Sequence, residues 1–288
     1  MIIKTSASSA NLGPGFDSIG MAVSLFLEVK VLGPAPTWQV DHDLPGISHG
    51  ADNLIIRSAL KTAPDLPPQH LQVTSNIPLA RGLGSSSSAI AAGIELANQI
   101  QGLNLTAQEK VEFGSQIEGH PDNIAPTILG GLVVGSFVSD HFDTVQLPFL
   151  PYALVAYISS YQLSTKKSRA VLPRELTLGQ AAHGSAIANT FVASLAMKDY
   201  QQAGELMQAD IFHEPYREQL VPELAKIREI GQQAGALATY LSGAGSTVMT
   251  VIKEDLAPAF VSSLRSASLT DRIESLQPVK QGVQVIHN

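Results

Sequence analysis

The chain has 288 residues, 44% of them hydrophobic, enough to bury a sizeable core and to divide into two ordinary domains. A formal net charge of −7 argues against a nucleic-acid partner, because a polyphosphate backbone needs concentrated basic surface. With no cysteine there is neither a disulfide framework nor a thiolate metal site, and no apolar run approaches the ~20 residues that span a bilayer, so the expectation is a soluble, cytoplasmic protein with no membrane partner.

Met1 to Thr5 reads as a short first strand running into a loop, Ser6 to Asp17, whose small residues suit contact with a ligand better than a core. Leu25, Leu27, Val29 and Val31 then alternate with Ser24, Phe26, Glu28 and Lys30, the pattern of a half-buried strand, and Gly33-Pro34-Ala35-Pro36 ends it. A hairpin partner is expected around Trp38 to Val40. After Asp52-Asn53 the pattern predicts a helix over 54–62, closed by Pro64, Pro67 and Pro68, and Leu71, Val73 and Ile77 mark the next strand at even spacing.

The stretch Pro78-Leu79-Ala80-Arg81-Gly82-Leu83-Gly84-Ser85-Ser86-Ser87-Ser88 follows, and Ala89, Ile90, Ala92, Gly93, Leu96, Ala97 and Ile100 predict a small, apolar helix behind it. The loop therefore sits at a helix N-terminus, where unpaired N–H groups and the positive end of the helix dipole converge, and its glycines let the backbone approach an anion. A strand in front and a helix behind favour phosphate binding over a flexible serine-rich turn. No Walker lysine follows, and the spacing is not that of a dinucleotide site.

Thr106-x-x-Glu109 has the spacing of a capping box, and the helix it starts should end near Gly119, since Pro121 cannot continue it; Glu112 falls mid-helix. His120-Pro121-Asp122-Asn123 is a polar turn before an apolar, glycine-punctuated stretch over 124–138. Asp122 should be poorly solvated there, whether it bonds the local backbone or serves an active site. Leu147-Pro148-Phe149-Leu150-Pro151 is the candidate boundary between domains 1–150 and 151–288. Beyond it come a buried strand over 153–159 and a basic run, Ser164 to Arg169, that by itself reads as a solvated loop. Helical patterns occupy 178–197, 200–212 and 221–233, with His213-Glu214-Pro215-Tyr216-Arg217 as a turn between the last two. Strands over 236–242 and 247–252 flank a second glycine turn, Ser242-Gly243-Ala244-Gly245-Ser246; a helix over 255–266 and a strand over 283–286 follow. That turn is either conformational or a second ligand contact. The eight histidines show no i,i+4 pairing and have no Cys partner, so no structural zinc site is expected.

These loops, in this order, resemble those of the superfamily of galactokinase, homoserine kinase, mevalonate kinase and phosphomevalonate kinase over most of the chain. Within it, Asn11-Leu12-Gly13-Pro14-Gly15-Phe16-Asp17, Glu118-Gly119-His120-Pro121-Asp122-Asn123 with Ala125-Pro126, and His213-Glu214-Pro215-Tyr216-Arg217 resemble the homoserine kinases. The resemblance implies an α+β, two-domain fold: an N-terminal domain like the second domain of ribosomal protein S5, a ferredoxin-like C-terminal domain, and an active site between them. It implies transfer of the γ-phosphoryl group of ATP to the side-chain hydroxyl of L-homoserine, a step toward threonine. Kinases of this kind often pair, and a homodimer is the assembly the resemblance suggests.

Carried over residue by residue, Pro78 to Ser88 resemble the ATP phosphate loop, with Gly243 and Gly245 beside it and Asn53 near the adenine. Ser86 and Glu112 resemble the magnesium ligands. Asn11 and Asp17 resemble the residues at the substrate's amino end, His120, Asp122 and Asn123 those near its hydroxyl, and Thr165, Arg169 and Arg217 the clamp on its carboxylate. Ser246 stands where these kinases usually have proline, a change expected to loosen the turn. The chemistry is consistent: a zwitterion needs a carboxylate near its ammonium and a guanidinium fork near its carboxylate. Phosphoryl transfer rests on positioning and charge neutralisation, and magnesium takes one or two protein oxygens. Asp122 would orient the hydroxyl first and accept its proton second. Two rivals stand beside this reading: a kinase for mevalonate or a phosphorylated isoprenoid precursor, whose substrate lacks an ammonium for Asp17, and a non-catalytic sensor on the same fold.

Overall fold

The computed structural model describes residues 1–148 and 150–287. Strand β1 (Ile2–Asn11) pairs antiparallel with β2 (Gly15–Pro34) from Ile2 opposite Lys30 to Asn11 opposite Gly15. The loop expected over Ser6 to Asp17 is therefore mostly strand, and Ser6 to Asn11 are buried. Their smallness serves close packing: Ser88 Oγ donates to Ser6 O (2.7 Å), and beside it Thr5 Oγ1 donates to Ser88 O (3.1 Å), so the helix that begins at Ser85 lies directly on the strand. Only 12–14 remain as a turn, entered through positive φ at Asn11, Leu12 and Gly13.

Strand β3 (Gln39–Asp41) runs parallel to β4 (Gln69–Ser75) and makes no hairpin with β2; helix α1 (Leu54–Thr62) lies between β3 and β4 in the chain. Ala35 N donates to Pro68 O (3.1 Å), which brings the start of β4 alongside the end of β2 and leaves β3 the outer place. Helix α2 (Ser85–Gln101) follows the phosphate loop, and α3 (Ala107–Glu118) begins at the predicted capping box and stops at Gly119, φ +89°. Helix α4 (Ile124–Leu129) and the hairpin β5 (Leu132–Val138) and β6 (His141–Leu147) complete the first half, with β5 on β2.

The expected boundary falls between β6 and β7 (Ala153–Ile158), every residue of which is buried; Phe149, within that expectation, lies outside the described residues. The basic run is the short helix α5 (Thr165–Ala170), capped by Ser164, and not a loop. Helix α6 (Leu178–Met197) has the predicted bounds, whereas α7 (Tyr200–Met207) stops short of Phe212. The Asp210 carboxylate takes the N–H groups of Phe212, His213 and Glu214 at 2.7–2.9 Å, a local alternative to helical bonding. The turn expected at 213–217 contains one helical turn, α8 (Glu214–Arg217). Helix α9 (Glu223–Gln233), strands β8 (Ala238–Leu241) and β9 (Val248–Ile252), helix α10 (Ala257–Ser266) and strand β10 (Arg272–Leu276) follow.

The second sheet has the order β10-β7-β9-β8, all antiparallel, the ferredoxin-like arrangement. Leu224, Ile227, Phe260 and Leu264 of α9 and α10 cover one face. The other face, through Leu154, Ala156 and Tyr240, joins the core of the first sheet. The last strand, β11 (Gln284–Ile286), pairs antiparallel with β1, so the chain after β10 returns to the first sheet. Among the described residues no helix is long and apolar enough to cross a membrane.

Candidate active site

Two glycines give the phosphate loop its course. Gly82 and Gly84 have φ +76° and +66°, and a Cβ would overlap Ser242 O at the first and Ser8 Oγ at the second. Loop and sheet meet there without room for a side chain, and Gly84 hands the chain into α2. The late glycine turn clasps the loop from the other half: Ser242 Oγ donates to Gly82 O (2.7 Å), Thr247 N to Arg81 O (3.1 Å), and Gly243 N to Ala10 O (3.0 Å). Ser246 is fully buried and donates to Tyr161 O (3.1 Å), which ties the turn to the segment after β7. Arg81 spends its guanidinium on Leu79 O, Ser159 O and Ser160 O at 2.7–2.9 Å, tying the loop to the end of β7.

A cavity of about 560 Å³ opens over this loop, lined by Ala80, Arg81, Gly82, Gly84 and Ser85 to Ser87 on one side and by Asn11, Asp17, Thr165, Arg169, Arg217 and Gly243 on the other. Pro78, Leu83, Ser88 and Gly245 do not line it. A second cavity of about 300 Å³ adjoins it through Leu54, Ser85 and Ser86 and carries Leu44, Ile47, Asn53 and Leu79. Asn53 is the N-cap of α1: its Oδ1 accepts from Ile55 N (3.0 Å) and its Nδ2 donates to Ser48 O (2.8 Å), so it shapes the wall with its amide already engaged.

Glu112 is not in either cavity. Its carboxylate accepts from Phe142 N (2.8 Å) and Gln116 Nε2 (2.9 Å), on the side of α3 that faces β6. The acidic residue that reaches the phosphate loop is Glu118, about 120° away around the helix axis, with Ser87 Oγ 2.7 and 2.8 Å from its two oxygens. Burial pushes the Glu118 carboxyl up to about 7 against the Ser87 bond and the charge of His120, which pull it down. Sequence reasoning missed this residue, although its place directly before the Gly-His-Pro-Asp-Asn turn was a usable signal.

That turn brings Asp122 into the cavity, 3% exposed, as its predicted poor solvation requires. His120 Nδ1 donates to Asp122 Oδ1 (2.5 Å), Asn123 Nδ2 donates to the same oxygen (3.2 Å), and Ser8 Oγ donates to Asn123 Oδ1 (2.9 Å). Burial opposes a charge on His120, but the bond to Asp122, with Glu118 and Asp17 behind it, outweighs burial and lifts the imidazole to about 9. Ligand atoms of Asp17, His120 and Asp122 lie within 4.8 Å of one another.

The opposite pole holds two guanidinium groups. Arg169 makes a two-pronged pair with Asp17 (2.7 and 3.0 Å), across from α5 to β2. The residues assigned to opposite ends of a substrate are thus partners of each other here. Arg217, 2% exposed, donates through Nε to Ser168 O (3.3 Å) and through Nη1 to Gly243 O (2.9 Å), and lies over the Phe16 ring. Burial and the nearby Arg169 lower it to about 10, still cationic at neutral pH. Asn11 Nδ2 donates to the same Gly243 O (3.2 Å), and its Oδ1 accepts from Asp17 N (3.2 Å). Thr165 lines the cavity at the first residue of α5.

Glycine loop, helix N-terminus, buried carboxylates and a cleft between two sheets define a small-molecule kinase. Family models described as GHMP kinases N terminal domain and GHMP kinases C terminal match residues 53–131 and 191–268. The chain is 60% identical to a homoserine kinase from Lactobacillus acidophilus over 286 residues, covering 99% of this chain and 100% of that one. It is 48% identical to one from Streptococcus thermophilus over 285 residues, again 99% and 100%. Among solved structures it superposes on a homoserine kinase from Cytophaga hutchinsonii with a TM-score of 0.86 at 26% identity, covering 99% and 97% of the two chains. A mevalonate kinase from L. major complexed with R-mevalonate shares the fold at a TM-score of 0.73 and 19% identity, over 97% and 96%. The chain belongs to the homoserine kinases of the GHMP superfamily.

Proposed function

We propose that this protein transfers the γ-phosphoryl group of ATP to the side-chain hydroxyl of L-homoserine, giving O-phospho-L-homoserine and ADP, a step toward threonine. The observation that carries the reading is one cavity joining a helix-N-terminal glycine loop to Asp122 and to a pole of one carboxylate and two guanidinium groups. The loop amides and the α2 dipole suit the phosphates, and the smaller adjoining cavity suits the base. Asp17 suits the substrate ammonium and Arg169 and Arg217 its carboxylate, the ammonium and carboxylate of the ligand taking over the partners that Asp17 and Arg169 now give each other.

Asp122 accepts its bonds from His120 and Asn123 through Oδ1, leaving Oδ2 as the acceptor for the homoserine hydroxyl. It orients an oxygen lone pair at the γ-phosphorus; the new P–O bond forms as the bond to the ADP oxygen breaks, and the hydroxyl proton leaves toward Asp122. His120 and Asn123 both hold Oδ1, which fixes the carboxylate and aims Oδ2, so orientation of the hydroxyl is its first role.

Ser86 and Glu118 fit magnesium: a hydroxyl and a carboxylate are hard oxygen donors, and Glu118 has Ser87 as its only hydrogen-bond partner among the described residues. When bound there the ion would neutralise phosphate charge. Ser87 holds the carboxylate toward the loop. Use of ATP suits the cytoplasm.

Substrate analogues test the zwitterion argument. γ-Hydroxybutyrate, which lacks the ammonium, and aminopropanol, which lacks the carboxylate, should each show kcat/KM about tenfold to a hundredfold below L-homoserine, the worth of a charged hydrogen bond. Turnover of either analogue at the rate of L-homoserine would remove Asp17, or the arginines, from recognition.

A further inference from the structure

His213 has no part in the chemistry above, yet its ring is fully buried between the substrate pole and α8 and stacks on Phe16 with centroids 5.5 Å apart. Its Nε2 lies 3.0 Å from Gly13 O, and its Nδ1 lies 3.2 Å from Arg217 Nη1. A carbonyl only accepts and a guanidinium only donates, so the two contacts demand one tautomer, with hydrogen on Nε2 and a lone pair on Nδ1. The surroundings keep the ring in that neutral form: burial lowers its pKa to about 4, helped by Arg217, although the Asp210 carboxylate 3.5 Å from Nε2, the Gly13 carbonyl and Asp17 act the other way.

The two contacts lead to both charged poles. Gly13 is in the β1–β2 turn, flanked by Asn11 and Asp17. Arg217 Nη1, the nitrogen that meets His213, also donates to Gly243 O, the oxygen that Asn11 Nδ2 shares. Turns from the two halves of the fold are thus joined through one imidazole and one guanidinium. Among the described residues nothing bonds Arg217 Nη2, which this bracing leaves for a ligand.

We infer that His213 is a positioning residue for amino-acid recognition, fixing the Arg217 fork through Nδ1 and the Asn11–Asp17 turn through Nε2. This rests on the amino-acid substrate proposed above. His213→Phe keeps a ring on Phe16 and removes both polar contacts; His213→Asn puts Oδ1 in the place of Nδ1 and restores the acceptor for Arg217.

The experiment is steady-state kinetics with both substrates varied. His213→Phe should raise KM for L-homoserine about tenfold to a hundredfold with KM for ATP within about threefold, and His213→Asn should return KM for L-homoserine to within about fivefold of the parent. An unchanged KM for L-homoserine, a parallel rise of both KM values, or no rescue by Asn would overturn the inference. If His213→Phe does not fold, His213→Asn is compared with His213→Gln, which keeps a donor toward Gly13 but no acceptor at the Nδ1 position. A KM for the Asn variant well below that for Gln supports the role, and equal values overturn it. A parent enzyme that does not turn over L-homoserine removes the substrate reading and this inference with it; normal parent turnover with an unaffected Phe variant removes the inference alone.

Discussion

Glu118→Gln should lower kcat by about a hundredfold to a thousandfold, while Glu112→Gln should leave it within about twofold. The two residues are glutamates on one helix, but only Glu118 faces the glycine-serine loop. Ser87 Oγ, in the first turn of α2, holds its carboxylate in the cavity beside the glycine-serine loop. Gln has nearly the same shape and can still bond Ser87, so a loss of rate reports the missing negative charge and hard oxygen. Glu112, bonded to the β6 backbone at Phe142, has only a structural contact to lose. Steady-state kcat at saturating ATP and L-homoserine separates the two, and a larger loss for the Glu112 variant would reverse the assignment.

Asp122→Asn should reduce kcat by about a hundredfold or more with a smaller change in KM for either substrate. Asn can keep Oδ1 as the acceptor for His120, but its amide nitrogen then takes the place of Oδ2 and donates where the hydroxyl needs an acceptor. The buried site makes the mismatch costly, because little water reaches an oxygen in a residue only 3% exposed. The pH profile divides its roles: a lost acid limb marks proton acceptance, and a retained limb with a lower plateau marks orientation. Near-normal turnover with unchanged pH dependence would exclude both.

Much of this architecture is legible where one local interaction decides the outcome. The Thr106–Glu109 capping box, the Gly119 stop and the full span of α6 follow from caps and periodicity alone. The glycine-serine loop before α2 is legible as a strand-to-helix connection because strand, glycines and helix stand in one line of sequence. Partner choice between distant segments is not: β3 takes β4 in place of β2, and β11 crosses back to β1, through pairings whose residues carry no mark of their partner. Ser6 to Asn11 read as a loop because small polar residues usually lie at the surface, whereas here they let α2 and the late glycine turn pack onto β1. Within the site, Asp122, Asp17, Arg169 and Arg217 could be listed from their motifs. The Asp17–Arg169 pairing and the direction of Glu118 depend on rotation about helices and on contacts across the cleft, which spacing along the chain does not carry.

The most direct test is ATP consumption with magnesium across L-homoserine, L-serine, L-threonine, mevalonate and no acceptor, with the phosphate located in the product by mass spectrometry. The account predicts turnover of L-homoserine far above the others, with the phosphate on its side-chain oxygen. Preferential turnover of mevalonate, or ATP binding without turnover of any acceptor, would contradict it.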